Sequence, residues 1–108
     1  MRKVERIIIM QTTVARKEDA RKMSDVLLGG RLAACIQIVG PIESRYWWRG
    51  KTSKSGEFLV LIKTAKKNYK KIESIIGKMH DYENPEILAL SVSHASKLYL
   101  SWLSSEIR

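Results

Sequence analysis

The 108-residue sequence predicts one α+β domain, 1–108, whose elements follow the order βαββαβα. Two observations lead to this prediction. Short apolar segments rich in β-branched residues alternate with segments whose apolar residues recur at helical spacing. Breaks separate them, at Gly29-Gly30 after the first helical segment and at Pro85 before the last strand. The length suits a single domain, and no linker or internal repeat divides the chain.

The first half of the chain predicts a strand, a helix and a long extended segment. Val4–Met10 is apolar and β-branched, which is typical of a buried strand. Lys17–Leu28 places its apolar residues on one face of a helix, and the two glycines end it. Leu32–Trp48 is extended, and Gly40-Pro41 predicts a bulge or bend within it because proline cannot donate to a sheet ladder.

The second half completes a known pattern. This half starts with a polar, glycine-containing segment, which predicts a hairpin loop. Apolar residues after it recur first at strand spacing and then at helical spacing, and this alternation repeats once. The predicted elements are the loop Arg49–Gly56, the strand Glu57–Thr64, the helix Asn68–Met79, the strand Ile87–Val92 and the helix Ser96–Ile107. This order is the ferredoxin-like split βαβ pattern, an antiparallel sheet with two helices on one face, with an extra C-terminal helix.

The charge balance raises a nucleic-acid hypothesis. The formal net charge is +9 at pH 7, and the lysines cluster between Lys63 and Lys78. Most of them fall on the outer side of a predicted helix, which favours a solvated surface. An RNA-binding module of the RRM type stacks bases on aromatic residues of its two central strands. Here the third strand has one aromatic residue and the first has none, so that alternative fits poorly.

The N-terminus and the cysteine content bear on the compartment. The start is basic and then apolar, but the apolar run is short and no small-residue cleavage site follows it, so a first strand is expected instead of a signal peptide. Cys35 is the only cysteine, which excludes an intrachain disulfide, and we expect it to be a small buried core residue. These features predict a cytoplasmic protein.

The extended second segment is too long for a small sheet. A mean strand has about 5–6 residues, whereas Leu32–Trp48 offers roughly three times as many. The excess should project from the body and carry Tyr46, Trp47 and Trp48, with the two indoles on opposite faces. These residue types dominate interfaces, so we expect this tip to dock onto other copies of the chain. The alternative is that the last helix, with Trp102, folds over the hairpin.

Five segments give the chain a specific resemblance. They are Arg31-Leu32-Ala33-Ala34-Cys35, Tyr46-Trp47-Trp48-Arg49-Gly50-Lys51, Glu57 with Lys63-Thr64, His80-Asp81-Tyr82-Glu83-Asn84-Pro85-Glu86-Ile87 and Tyr99-Leu100-Ser101-Trp102-Leu103. In this order and spacing the sequence resembles the CutA divalent-cation-tolerance proteins over nearly its whole length. The resemblance implies a homotrimer whose long hairpins pair between subunits. It also implies kinship with PII-type signalling trimers, an association with tolerance to copper and other divalent cations, and no enzyme activity.

The resemblance also points to candidate metal ligands. Bacterial relatives carry a proposed cysteine ligand near the end of the first strand, where this chain reads Met10-Gln11-Thr12, and Met79 stands where a relative has histidine. His80 and Glu86 are kept, and imidazole and carboxylate suit copper or another divalent cation. The alternative for His80 is a surface role after a helix, where its positive form would suit the helix C-terminus.

The remaining polar residues suggest a cleft between subunits. Glu57 and Lys63 share a face of the third strand with apolar residues, so they could pair across subunits or bind an anionic ligand, with Tyr82 nearby. For His94, just before the last helix, a cap or solvent role is expected. No nucleophile–base motif or phosphate-binding glycine loop is present, so the protein is not expected to be an enzyme. A PII-like ligand-binding trimer without metal is the alternative function.

Overall fold

The computed structural model describes residues 6–108 and has the predicted element order. The elements are β1 Ile7–Val14, α1 Lys17–Gly29, β2 Cys35–Trp48, β3 Lys51–Ala65, a short 3-10 turn Lys66–Asn68 that leads into α2 Tyr69–Met79, β4 Leu88–Ser91 and α3 Lys97–Glu106. The predicted start of β1 at Val4 lies outside the described residues. At its other end β1 continues past Met10 to Val14, because all eight of its residues pair with β3.

The four strands form one antiparallel sheet in the order β2-β3-β1-β4. This is the ferredoxin-like arrangement that the element order predicts. Within the described residues β2 and β4 are each paired on one side only, so both edges of the sheet are open. The edges differ greatly, because β2 has 14 residues and β4 has four.

The core lies between one face of the sheet and the helices α1 and α2. The inward residues of the two central strands meet the apolar stripes that define the helices. Its most buried members include Met10, Val60, Ile62, Met23, Leu27, Ile72 and Ile76. Full burial of each large aliphatic side chain contributes about 1.5–3 kcal/mol, so this face fixes the register of the central strands.

The β2–β3 hairpin is longer than predicted. Residues 49–56 are not a loop, because only Arg49 and Gly50 form the turn and β3 begins at Lys51. Both turn residues have positive φ, 49° and 78°, the combination that two-residue hairpins use to match strand twist. The polar residues after the turn form a strand without an apolar face since they project into solvent. The hairpin stretches the chain to 53 × 26 × 22 Å.

A bulge interrupts the hairpin where Gly40-Pro41 predicts one. The β2–β3 register shifts between Val39 and Ile42. A Cβ on Gly40 would lie 2.6 Å from Cδ1 of Phe58, so only glycine allows this close approach. The bulge separates the part of the hairpin over the core from the part that projects beyond it.

The last helix does not cover the projecting hairpin. Helix α3 buries Leu103 and is tied to the α1–β2 loop by an ion pair between Arg31 and Glu106 with an N–O distance of 2.6 Å. Trp102 is 43% exposed and lies beside this loop. The loop precedes the first residue of β2, whereas Trp48 is the last residue of that strand. The alternative fold for the aromatic tip is therefore wrong for the single chain. Within residues 6–108 no helix is long and apolar enough to span a membrane.

Candidate functional site

A cleft of about 630 Å³ opens between the projecting hairpin and the loop that joins α2 to β4. We call it the hairpin cleft. The hairpin supplies residues 44–48 to one wall, and the loop supplies the other. Its lining residues are Thr13, Ser44, Arg45, Tyr46, Trp47, Trp48, Glu57, Tyr82, Glu83, Asn84 and Glu86. Three carboxylates and one guanidinium therefore meet aromatic rings in a chain whose net charge is strongly positive.

Glu57 and Tyr82 form the buried polar contact of this cleft. The Tyr82 hydroxyl donates to Oε2 of Glu57 at 2.9 Å, and Glu57 is only 6% exposed. Burial and the bond to Glu57 raise the pKa of Tyr82 from its ordinary value of 10.0 to about 12. The phenol therefore stays protonated at neutral pH and holds the carboxylate in place.

Lys63 lies away from the hairpin cleft. It is six residues from Glu57 on the same strand, which corresponds to about 20 Å. Its Nζ donates to the Tyr99 hydroxyl at 3.2 Å and lies 5.3 Å from the centre of that ring. Within one chain, Lys63 and Glu57 do not pair with each other.

His80 uses both ring nitrogens inside the chain. Nε2 lies 2.7 Å from the carbonyl oxygen of Thr13, and the backbone N–H of Tyr82 donates to Nδ1 at 3.1 Å. Because the carbonyl can only accept and the amide can only donate, Nε2 is the donor and Nδ1 the acceptor in these contacts. The imidazole also packs against the Tyr82 ring at 4.7 Å. His80 thus fastens the loop that carries Tyr82 to the end of β1.

Glu86 lines the hairpin cleft and is held by a residue that sequence reasoning missed. Nε2 of Gln11 donates to Oε2 of Glu86 at 3.0 Å. Gln11 belongs to the stretch where relatives have a proposed cysteine ligand, and it pairs with Leu88 of β4. The signal available in the sequence was its polar side chain directly after the apolar run Ile7–Met10.

The described residues do not assemble a metal site within one chain. No three His, Cys, Asp or Glu side chains between residues 6 and 108 are grouped as ligands. Cys35 is half-buried at the start of an edge strand instead of in the core. The assignment of His80 and Glu86 as ligands stays a prediction, and a metal at His80 would have to replace one of its two hydrogen bonds.

The aromatic tip is open in the single chain. Trp47 is 75% exposed, Trp48 is 48% exposed and Tyr46 is 42% exposed. Few contacts hold them: Tyr46 shares a hydrogen bond with Ser55, and the Arg49 guanidinium lies 5.5 Å from the Trp48 ring. On the opposite edge of the sheet, Leu88 and Leu90 of β4 are also exposed. Apolar surface is therefore concentrated at both open edges.

The four-stranded ferredoxin-like sheet, the extended aromatic hairpin and the open edges define a protein of the long-hairpin ferredoxin-like class. Residues 8–106 match the family model described as "CutA1 divalent ion tolerance protein". The chain belongs to this family, so the resemblance inferred from the five sequence segments is confirmed.

Individual relatives agree with this assignment. The chain is 35% identical over 100 residues to the divalent-cation tolerance protein CutA of Thermus thermophilus, covering 93% of this chain and 95% of the relative. It is 35% identical over 101 residues to "Protein CutA 1, chloroplastic" of Oryza sativa subsp. japonica, covering 94% of this chain. It spans only 57% of that rice relative and 56% of the chloroplastic CutA of Arabidopsis thaliana.

Solved structures of the family share the fold. A crystal structure of CutA1 from Oryza sativa superimposes with a TM-score of 0.93 at 33% identity, covering 97% of this chain and 96% of that one. The CutA1 structure from Thermus thermophilus gives a TM-score of 0.91 at 33% identity, covering 94% and 99%. The structure titled "Periplasmic divalent cation tolerance protein CutA" from Archaeoglobus fulgidus gives 0.90 at 29% identity, covering 94% and 99%. Names of relatives thus include chloroplastic and periplasmic proteins.

Proposed function

We propose that this chain acts as a homotrimer in tolerance to divalent cations, by binding a ligand at the hairpin cleft and not by catalysis. The exposed aromatic tip is the observation that carries the proposal, because Trp47 is three-quarters exposed on a strand whose outer edge has no partner. An unpaired long edge strand is a liability for a free monomer. Burial of the two indoles and the strand edge by another subunit removes it.

The two open edges of the sheet support a ring-shaped assembly. Pairing the β2 edge of one subunit with a different surface of the next is a heterologous contact, which closes into a ring when the rotation permits. The exposed leucines Leu88 and Leu90 make the β4 edge a suitable partner surface. The number three is the one that the family resemblance implies, and we propose it for this chain.

Light scattering after size-exclusion chromatography tests the assembly. Wild-type protein should have three times the 12.4 kDa mass of one chain. Replacement of Trp47 and Trp48 together by Ala should shift the mass toward that of a monomer. The matched control is Val26→Ala, since Val26 is an exposed apolar residue on α1, outside the hairpin, and its loss should leave the mass unchanged. A wild-type monomer at micromolar concentration contradicts the trimer.

The polar groups of the hairpin cleft support cation binding. Glu57 and Glu86 each accept a hydrogen bond from a neutral donor, which orients both carboxylates without neutralising their charge. Neither donor is a nucleophile activated by a neighbouring base, since one is a protonated phenol and the other is an amide. This pairing favours binding over catalysis. We infer that a divalent cation, with copper as the first candidate, binds here with ligands from more than one subunit. His80 and Glu86 are its predicted ligands, of which only Glu86 lines the cleft, so His80 would have to reach it from the loop beside it.

A copper titration by calorimetry tests this part separately. Glu86→Gln should weaken saturable binding. Glu73→Gln removes a carboxylate that accepts from Tyr69 on the exposed side of α2, so it is the control and should have no effect. Absence of saturable micromolar copper binding in a trimeric wild-type protein would contradict the metal-binding part of the proposal and leave the trimer unaffected.

A PII-like trimer that binds a small ligand without metal is the second candidate. It is favoured by the two hydrogen bonds of His80, which leave no free ring nitrogen for a metal. The same titration separates the two candidates. The cytoplasm remains the predicted compartment, and fractionation of cells that express the full chain checks it.

A further inference from the structure

A second cavity lies where β1 begins, at the end of that strand opposite the hairpin cleft. It has a volume of about 330 Å³ and is lined by ten residues. Its polar members are Arg6, Lys66, His94, Ser91 and Ser93, and the other five are apolar. No carboxylate is among these lining residues. We call it the basic cavity.

The backbone forces two of these positive charges together. β1 and β3 pair with Ile7 opposite Ala65, so the next position places Arg6 opposite Lys66. The backbone N–H of Lys66 donates to the Arg6 carbonyl at 2.8 Å, which continues the pairing into the 3-10 turn. Like charges directly opposite each other on paired strands are destabilising. The backbone therefore places the two basic residues next to each other where both line the cavity.

Within the described residues, neither of these two charges forms an ion pair with a carboxylate. The ion pairs recorded among residues 6–108 are Arg16–Asp19, Lys22–Glu18 and Arg31–Glu106. Neither the Arg6 nor the Lys66 side chain has a hydrogen-bond or ion-pair partner in this part of the chain. The third base, His94, has one contact, a hydrogen bond of 3.0 Å between Nδ1 and the Ser93 hydroxyl.

We propose that the basic cavity binds a small phosphate-bearing molecule, with Arg6 and Lys66 on the phosphate and Ser91, Ser93 and His94 completing its hydrogen bonds. A guanidinium can donate two parallel bonds to phosphate oxygens, and an ammonium adds a point charge. The apolar half of the lining suits a short organic group beside the phosphate. The site goes beyond the proposed function, since it lies outside the hairpin cleft and needs no metal.

A small molecule fits the cavity better than a nucleic-acid strand does. A strand needs an extended row of positive groups and aromatic platforms for its bases. Here the positive groups surround one bounded cavity, and none of its ten lining residues is aromatic. The His94 ring lies at this site and not at the α3 cap, which Ser96 supplies by accepting from the Tyr99 backbone N–H.

The test is a calorimetric titration of the purified full chain at constant ionic strength and pH 7. The probes are inorganic phosphate, glycerol 3-phosphate and a twelve-nucleotide single-stranded DNA. We expect saturable binding of both phosphates with one site per chain, tighter for the ester. Lys66→Gln should raise the Kd at least about tenfold, since a hydrogen bond to a charged group contributes this much or more. Saturating phosphate should raise the thermal midpoint of the wild type but not of this variant.

Lys70→Gln is the matched control. It removes the same charge from the exposed side of α2, outside the cavity, and should change the Kd less than about twofold. Equal effects of the two variants, or no saturation by either phosphate, overturn the proposal. DNA binding that is tighter than ester binding and equally weakened by both variants also overturns it, in favour of a general basic surface. Light scattering of the same samples shows whether the trimer is intact, so failure of the phosphate site and failure of the proposed assembly are recognised separately.

Discussion

Replacement of Tyr82 by Phe isolates the buried contact of the hairpin cleft. The change removes the hydroxyl that donates to Glu57 at 2.9 Å and keeps the ring that packs against His80. Glu57 is only 6% exposed, so water cannot fully replace the lost donor. A hydrogen bond to a charged group contributes about 1.5–3 kcal/mol. We therefore expect the free energy of unfolding to fall by about 2 kcal/mol.

The chain offers a close control for this change. The Tyr69 hydroxyl also donates to a carboxylate at 2.9 Å, Oε2 of Glu73, but this pair lies on the exposed side of α2. Exposed pairs four residues apart on a helix contribute only about 0.2–0.5 kcal/mol. Tyr69→Phe should thus cost less than about 0.5 kcal/mol. The two variants share chemistry and bond length and differ in burial.

Urea unfolding at one fixed protein concentration measures both variants, because subunit association also contributes to stability. A double-mutant cycle with Glu57→Gln should give a coupling energy above about 1 kcal/mol for Tyr82. Equal losses in the two Phe variants would refute the reasoning. That result would mean that a group from another subunit, such as a lysine, already compensates the Glu57 carboxylate.

Three further predictions follow from local geometry. Because the pKa of Tyr82 is raised to about 12, its contribution to stability is full below pH 10 and is lost as the pH rises to 12. In an alkaline titration, the free energy of unfolding of Tyr82→Phe should therefore fall less steeply over this range than that of the wild type. Gly40→Ala should cost about 1–3 kcal/mol in urea unfolding because its Cβ would meet Phe58, whereas Gly77→Ala, with open space in the last turn of α2, should stabilise by up to about 1 kcal/mol; a reversed order would contradict this. Arg49→Asn should raise the thermal midpoint slightly, since asparagine adopts positive φ more readily in this turn, and a lowered midpoint would count against it.

Regular, buried patterns made most of the fold predictable. Helix α1 begins at Lys17 as expected. Its apolar stripe packs on the sheet and glycine ends it, and both features are visible in the sequence. The pattern failed at the hairpin, where residues 51–56 form a strand with polar side chains on both faces. Periodicity reports burial and not hydrogen bonding, so a strand that projects into solvent has no signal.

The candidate site was predictable in part. Glu57, Lys63 and Tyr82 were expected at one cleft between subunits; within one chain Glu57 and Tyr82 are in direct contact, whereas Lys63 lies away from them beside Tyr99, and the cleft between subunits stays a prediction. The contact of Gln11 with Glu86 depends on the β1–β4 register, and the two bonds of His80 depend on how a loop meets the end of β1. Such pairings join residues 67 and 75 positions apart, which one sequence cannot relate.

The two proposed sites lie at opposite ends of one strand. Thr13 lines the hairpin cleft and Ile7 lines the basic cavity, and six residues of extended chain between them span about 20 Å. The Debye length at physiological salt is about 8 Å, so charges at the two sites are largely screened from each other. If both proposals hold, we expect a cation at one site and a phosphate at the other to bind almost independently. We therefore expect Glu86→Gln to lose copper binding and to leave the phosphate affinity unchanged.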